Sequence, residues 1–272
     1  MKKYLFTSFL AFCLCLMFLC SCQTNDVLLL NSGLFSELES AEIDAERLKN
    51  RWISGETNCY NGPAFELNER DGEIYLEEYS ESYSYVCNLN MRYLVGIDCG
   101  EFDGWVSVIE YDSNRNEEAK NERLLNENCR GFLKEKVQAE YKGKSYWTDN
   151  NDKAYIFTGL AHLTIDKGKI YKFENKKDGY SCELFADLGS SPDAFLLDNG
   201  NIIVATNKAL LSVDPAGNIT TLFSADYWRD LGITSMVKLG ESYYIGTFSG
   251  ILEYRIADKS IVWYPYYNED EQ

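Results

Sequence analysis

Carboxylates are the side chains with catalytic potential that this chain has in abundance. It carries 43 Asp and Glu residues but one histidine, His162, in 272 residues. Glycoside hydrolysis needs only two carboxylates, about 5–9 Å apart, and therefore needs no imidazole. Three aspartates near predicted junctions of strands and turns are candidates for such a pair: Asp98, Asp103 and Asp193. In so acidic a chain some carboxylates always lie close together, so the pattern has almost no specificity for hydrolysis.

Other catalytic and metal-binding patterns are missing from the sequence. A single histidine removes most imidazole catalysis and histidine-rich metal sites. His162 lies in an alternating, strand-like run, which predicts a structural role in the core or on the surface. There is no G-x-S-x-G motif and no glycine-rich phosphate loop, and the oxygen-rich run at 149–152 lacks EF-hand order. We therefore expect no cofactor and no metal.

The first 22 residues have the pattern of an export signal. Two lysines precede an uncharged run at 4–19, which is short for a membrane-spanning helix. The run ends in Leu-Cys-Ser-Cys at 19–22, which resembles the lipobox of bacterial lipoproteins. The resemblance implies that residues 1–21 are cleaved and that the acylated Cys22 anchors the protein in a lipid bilayer. An ordinary cleaved signal or an N-terminal anchor helix is the alternative.

Charge and the residue after the lipobox refine the predicted location. The formal net charge is −17, which argues against nucleic acid and against electrostatic docking on anionic lipid. Gln23 stands where an Asp would resemble the inner-membrane retention signal. The resemblance thus implies the bacterial cell envelope, with the outer membrane favoured.

Five of the nine cysteines remain once the signal and the lipidated position are set aside. They are Cys59, Cys87, Cys99, Cys129 and Cys182. No pair has C-x-x-C spacing, so zinc-ribbon and thioredoxin-like sites are excluded. A bridge between Cys87 and Cys99 and buried free thiols are both open.

The remaining chain divides into a tether, a helix and a large β region. Residues 22–50 contain the tether and an amphipathic helix, whose apolar positions recur between 34 and 48. This helix either packs on the main domain or binds a partner. From 51 to 267, β-branched and aromatic runs alternate with glycine, asparagine and aspartate turns, and an acidic tail fills 268–272. The charged segment 116–141 is either a helical insertion or long hairpin arms.

An internal repeat predicts how the β region is organised. The segment 203–213 matches 244–254, which lies 41 residues later, and 155–165 is a third copy. The small residues Ala205 and Gly246 align, as do Thr206 and Thr247, and we expect the small pair on strands at a central axis. Weaker copies at 62–75 and 104–111 bring the number of units to five. Units of 40–50 residues with several strands each are typical of propeller blades.

The segment 246–254 resembles the repeats of periplasmic sensor propellers and of NHL-type propellers. The resemblance implies an all-β, β-propeller-like fold of about five blades, preceded by the short N-terminal helix. A pair of β-sandwiches or an incomplete stack of sheets is the alternative.

The predicted function is a non-catalytic binding or scaffold module for a protein or a glycan. Turns that connect blade strands vary on a rigid frame and commonly carry binding. Three such turns form the candidate binding face: Gly159, Leu160, Asn207, Lys208, Phe248 and Ser249. The alternative is a carbohydrate-active hydrolase that uses paired carboxylates.

Overall fold

The computed structural model describes residues 65–70, 73–78, 84–90, 92–101, 104–112, 117–142, 144–162, 164–248 and 250–265. Several predictions lie outside these ranges: the signal, Cys22, the tether and helix, Cys59, Asp103, Ser249 and the acidic tail. Within the described ranges the regular structure is β, with one 3-10 turn at Trp228–Leu231. No helix there is long and apolar enough to cross a bilayer.

The strands form one hairpin and four antiparallel sheets of four strands each. The hairpin consists of β1 (Phe65–Arg70) and β2 (Glu73–Glu78). Sheet I consists of β3 (Ser84–Leu89), β4 (Arg92–Ile97), β5 (Trp105–Asp112) and β6 (Glu117–Leu125). Sheet II consists of β7 (Cys129–Tyr141), β8 (Lys144–His162), β9 (Ile165–Lys176) and β10 (Gly179–Asp187). Sheet III consists of β11 (Pro192–Asp198), β12 (Asn201–Thr206), β13 (Leu210–Val213) and β14 (Ile219–Phe223). Sheet IV consists of β15 (Ile233–Leu239), β16 (Ser242–Thr247), β17 (Gly250–Arg255) and β18 (Ile261–Pro265).

The sheets follow one another as the blades of a propeller do. The first strand of each sheet contacts the first strand of the next, from β3 through β7 and β11 to β15. The hairpin continues this order, because β1 contacts β15 and the Leu67 amide donates a hydrogen bond of 2.8 Å to Ser235 Oγ. The predicted all-β, propeller-like fold is confirmed, with four complete sheets and the hairpin in the fifth place.

The aligned repeats occupy equivalent positions. Tyr155, Ile203 and Tyr244 all lie on second strands, opposite first-strand residues of their own sheets. Those partners are Leu133, Leu196 and Val237. Because the first strands contact each other and are therefore innermost, the expectation that Ala205 and Gly246 lie on axial strands is wrong.

The sheets bury their faces against one another. Phe157 of β8 stacks on Phe195 of β11, with ring centroids 3.6 Å apart and planes at 3°. Around them an apolar cluster joins sheets II and III, and similar clusters join I with II, III with IV, and the hairpin with IV. A single sheet has too little partner surface for both of its faces, so radial packing is what stabilises each one.

Two open alternatives are settled by the described strands and thiols. The helical alternative for 116–141 is wrong, because β6 and β7 occupy its described part and belong to different sheets. Cys87, Cys99, Cys129 and Cys182 are free thiols, so the bridge between Cys87 and Cys99 does not form.

Candidate functional site

The predicted binding face has one common geometry in three sheets. Gly159, Asn207 and Phe248 each follow a threonine near the end of the repeat's second-strand segment. The amide of each donates to a carbonyl just before the first strand of its own sheet, at 2.9–3.0 Å. Those carbonyls belong to Asn128, Ser191 and Gly232. The three residues therefore share one end of the ring, which we name the site end.

Not every residue of that face lies in a turn. Gly159 and Leu160 belong to the long strand β8 and pair with Gly168 and Lys167, so their prediction as a turn is wrong. The Asn207-Lys208 segment does connect β12 with β13, and Phe248 lies in a turn after β16.

Three first strands begin with the same irregularity at the site end. β7, β11 and β15 each shift register after their first residue, which leaves one extra residue on the strand. The extra residues are Arg130, Asp193 and Thr234. Such bulges redirect side chains and are common next to binding sites. Here the bulges help to place the Arg130 guanidinium and the Asp193 carboxylate at the same end of the ring.

An open pocket lies at the site end, between sheets I and II, with about 440 Å³ of space that includes open solvent. Its walls are the loop after β4, the segment between β6 and β7, and the β8–β9 hairpin. Gly159 and Leu160 of the predicted face are among the lining residues, as are Glu127, Lys167 and Lys169. The pocket is thus formed largely by polar and glycine residues.

Glu127 is the most constrained carboxylate of the pocket. Its Oε1 accepts hydrogen bonds from Lys169 Nζ at 2.5 Å and Tyr171 OH at 3.0 Å, and its Oε2 accepts from Thr158 Oγ1 at 2.6 Å. Burial alone raises the pKa of Glu127, but these donors outweigh it and hold the pKa below its usual range. The side chain is therefore an ionised acceptor in a fixed position.

Asn128 fixes the loop that forms the opposite wall. Its Oδ1 accepts from the amides of Gly104 at 2.6 Å and Cys99 at 3.3 Å, and its Nδ2 donates to the Gly100 carbonyl. A Cβ on Gly104 would lie 2.1 Å from Asn128 Oδ1, so this approach requires glycine. One buried side chain thereby sets the shape of the loop.

Two of the three predicted aspartates meet at an arginine. Arg130 Nη1 lies 2.7 Å from Asp98 Oδ2, and its Nη2 lies 3.2 Å from Asp193 Oδ1. Its Nε also donates to the Pro192 carbonyl at 3.3 Å. The two carboxylates are mostly buried, with side chains 10% and 18% exposed. The third candidate, Asp103, is outside the described residues.

The electrostatics of this triad depend on burial. Burial raises the pKa of Asp193 to about 6, although Arg130 acts in the opposite direction. Burial lowers the pKa of Arg130, but the carboxylates of Asp193 and Asp98 outweigh it and raise that pKa. The guanidinium stays charged and bridges the pair. Sequence reasoning missed Arg130, because no motif distinguishes it from other basic residues.

Two residues of the predicted face have structural contacts. Lys208 Nζ reaches back to Asp166 Oδ2 at 3.0 Å, which ties sheet III to the β8–β9 hairpin of sheet II. Asp166 also accepts from the Ser191 amide at 2.8 Å. Phe248 packs so closely on Gly232 that a Cβ there would lie 2.1 Å from its ring. Substitution of Lys208 or Phe248 would therefore remove a structural contact in addition to any contact with a ligand.

His162 lies next to Glu101, which is one of the residues that line the pocket. Its Nε2 is 2.9 Å from Glu101 Oε2, and both side chains are about half exposed. Among the residues that the structure describes, no cluster of His, Cys, Asp and Glu could hold a metal ion.

Comparisons with known proteins find no sequence relative and a remote structural likeness. No family model and no curated protein sequence matches this chain. It is similar to a solved structure described as a GH43 glycoside hydrolase whose engineered active site displays both endo-xylanase and exo-arabinofuranosidase activity. The identity is 10% and the TM-score 0.32, and the match covers 67% of this chain and 40% of that one. A likeness this remote bears on neither substrate nor activity.

Proposed function

We propose that this protein is a non-catalytic binding module of the cell envelope, and that it binds a glycan in the pocket between sheets I and II. The observation that carries the proposal is the set of fixed polar groups around Glu127 in an open pocket. Saccharide hydroxyls both donate and accept hydrogen bonds, so they match walls that offer a carboxylate, ammonium groups and a hydroxyl.

The protonation state of Glu127 favours binding over catalysis. A general acid needs a pKa near the working pH, whereas the pKa of Glu127 is lowered. Both of its oxygens already accept hydrogen bonds from protein donors. An ionised carboxylate held in this way suits the recognition of hydroxyl groups better than proton transfer.

Glu135 offers a matched control for testing the pocket. It lies 2.8 Å from Lys172 Nζ and accepts from Tyr155 OH at 3.3 Å, and its side chain is 22% exposed, against 25% for Glu127. It lies in β7, which begins two residues after Glu127, but it does not line the pocket. Glu127→Gln and Glu135→Gln therefore remove similar charges, only one of them at the proposed site.

The experiment is capture of the full chain on an array of glycans. Loss of a charge-assisted hydrogen bond between Glu127 and the ligand costs about 1.5–3 kcal/mol. Glu127→Gln should therefore weaken capture by about tenfold or more. Glu135→Gln should bind as the wild type does. Equal binding by both variants would place the ligand elsewhere, and no capture by the wild type would reject a glycan ligand.

One observation favours a second candidate, a carbohydrate-active hydrolase. Asp98 and Asp193 meet in one cluster, and a pKa of about 6 would suit Asp193 as a proton donor. Against this, the Arg130 guanidinium bridges the pair, where a hydrolase would hold the scissile bond. Chromogenic glycosides decide the matter: turnover that Asp193→Asn abolishes would support hydrolysis, and no wild-type turnover rejects it.

We also propose that the protein is held to the bilayer by an acylated Cys22, with the outer membrane as its destination. The support is the lipobox-like sequence at 19–22 and the Gln23 that follows it. Cys22→Ala should abolish the mass increase of acylation and release soluble protein. A variant that stays in the membrane at an unchanged mass would show that the anchor is not a lipid on this cysteine.

A further inference from the structure

The β7–β8 hairpin extends well beyond the sheet to which it belongs. Between 136 and 149 the two strands pair only with each other, through six pairs from Lys136↔Asp149 to Tyr141↔Lys144. At about 3.3 Å per residue this arm projects roughly 20 Å. Isolated two-stranded ribbons are only marginally stable in water, so an arm of this kind needs either support at its base or a partner at its tip.

The base of the arm is supported by the preceding sheet. The Asn90 amide donates to the Asn151 carbonyl at 2.8 Å, and Asn90 Nδ2 donates to Asp152 Oδ1 at 3.0 Å. Asn175 Nδ2 donates to the Asn90 carbonyl at 2.6 Å. These contacts fix the direction in which the arm leaves the ring.

Exposed aromatic side chains surround the tip. Tyr141, Tyr146 and Trp147 are 63%, 49% and 70% exposed. Paired residues share a face of a ribbon, so Tyr141 and Tyr146 lie on one face, and Trp147 lies on the other with Gln138. A flat protein partner would cover one of these faces. Aromatic residues on both faces suit a medium that surrounds the tip.

The tip also differs in charge from the rest of the molecule. Residues 136–149 contain three lysines against one glutamate and one aspartate, in a chain of net charge −17. Lys142 Nζ lies 5.2 Å from the Tyr141 ring centroid, and Lys144 is paired with Tyr141. The acidic body lies roughly 20 Å away, beyond a Debye length of about 8 Å, so salt screens its repulsion at the tip.

We infer that the tip of the β7–β8 hairpin inserts into the headgroup region of a lipid bilayer. Tryptophan and tyrosine are enriched at membrane interfaces, where one part of the ring is apolar and the other is wet. Lys142 and Lys144 match anionic headgroups, which attract basic side chains near the membrane surface. The negative net charge of the whole chain opposes docking on anionic lipid, but the tip itself is basic. The inference does not depend on a ligand in the pocket.

The test uses the full chain in vesicles of phosphatidylcholine with or without phosphatidylglycerol, part of the lipid being brominated. The fluorescence of Trp147 is the emission of the wild type minus that of Trp147→Phe. Brominated lipid should quench this emission, and binding to vesicles should shift it to shorter wavelength. Trp105→Phe is the matched control, because Trp105 lies next to the pocket loop, and its removal should leave the quenching unchanged.

The lysines provide a second variant with a separate readout. Lys142→Glu with Lys144→Glu should reduce the quenching in vesicles that contain phosphatidylglycerol and leave it nearly unchanged in phosphatidylcholine alone. Equal quenching of the wild type and Trp147→Phe in both kinds of vesicle would overturn the inference.

Discussion

The buried carboxyl of Asp193 makes the stability of the fold depend on pH. Burial raises its pKa to about 6, so the native protein binds a proton there at pH values where the unfolded chain has released it. The free energy of unfolding contributed by this group therefore falls as the pH rises from about 4, the pKa of an ordinary aspartate, to about 6. Asp193→Asn imitates the protonated form and should remove this fall.

The magnitude follows from the size of the pKa shift. A change of about two pKa units corresponds to about 3 kcal/mol, at roughly 1.4 kcal/mol per unit. The Asp193 side chain is 18% exposed, which keeps the effect close to that value. Relative to the wild type, Asp193→Asn should gain about 2–3 kcal/mol of stability between pH 4 and pH 7.

Urea unfolding at four pH values from 4 to 7 measures this difference. Glu127→Gln is a control of opposite sign, because the lowered pKa of Glu127 stabilises the fold above its unfolded pKa and this stability is lost as the pH falls through the folded pKa. The wild type should therefore gain on Glu127→Gln as the pH rises towards about 4.5, and keep that gain at higher pH. A difference between Asp193→Asn and wild type that is the same at pH 4 and pH 7 would refute the reasoning.

Three further outcomes follow from packing. Phe157→Ala should cost about 3–5 kcal/mol in urea unfolding, because it removes the ring stacked on Phe195 between two sheets. Gly168→Ala should lower the melting temperature, since its Cβ would lie 2.1 Å from the Ser190 carbonyl oxygen, and an unchanged value would contradict that approach. Burial raises the pKa of Cys129 to about 12. Its thiol should therefore react with a maleimide only at the rate of unfolding. Fast labelling of Cys129 in the native state would show that the thiol is accessible.

The fold was accessible from the sequence because sheets II, III and IV repeat one local pattern. The small-threonine pairs Ala205-Thr206 and Gly246-Thr247 mark where second strands end, and this pairing recurs with the same register. The order of strands from the axis outwards could not be predicted in this way. It depends on which strands of neighbouring sheets make contact, and alternation along a strand carries no information about that.

The candidate site was predictable only in part, for a related reason. Asp98 and Asp193 stood out as carboxylates near strand ends, but Arg130 reaches them through a bulge that shifts the register by one residue. The role of Glu127 depends on Lys169 and Tyr171, which are more than 40 positions away. Pairings over such distances are made by sheet topology, which spacing along the chain does not specify.

The direction of β8 connects the two proposals. This strand begins at Lys144, next to the aromatic tip, and runs past the pocket residues Thr158, Gly159 and Leu160. Its 19 residues span at most about 60 Å. If the tip lies among headgroups, the pocket lies at the other end of β8, away from the bilayer. A ligand of the pocket would then be a molecule that extends from the surface or diffuses freely, rather than a headgroup of the bilayer that holds the tip.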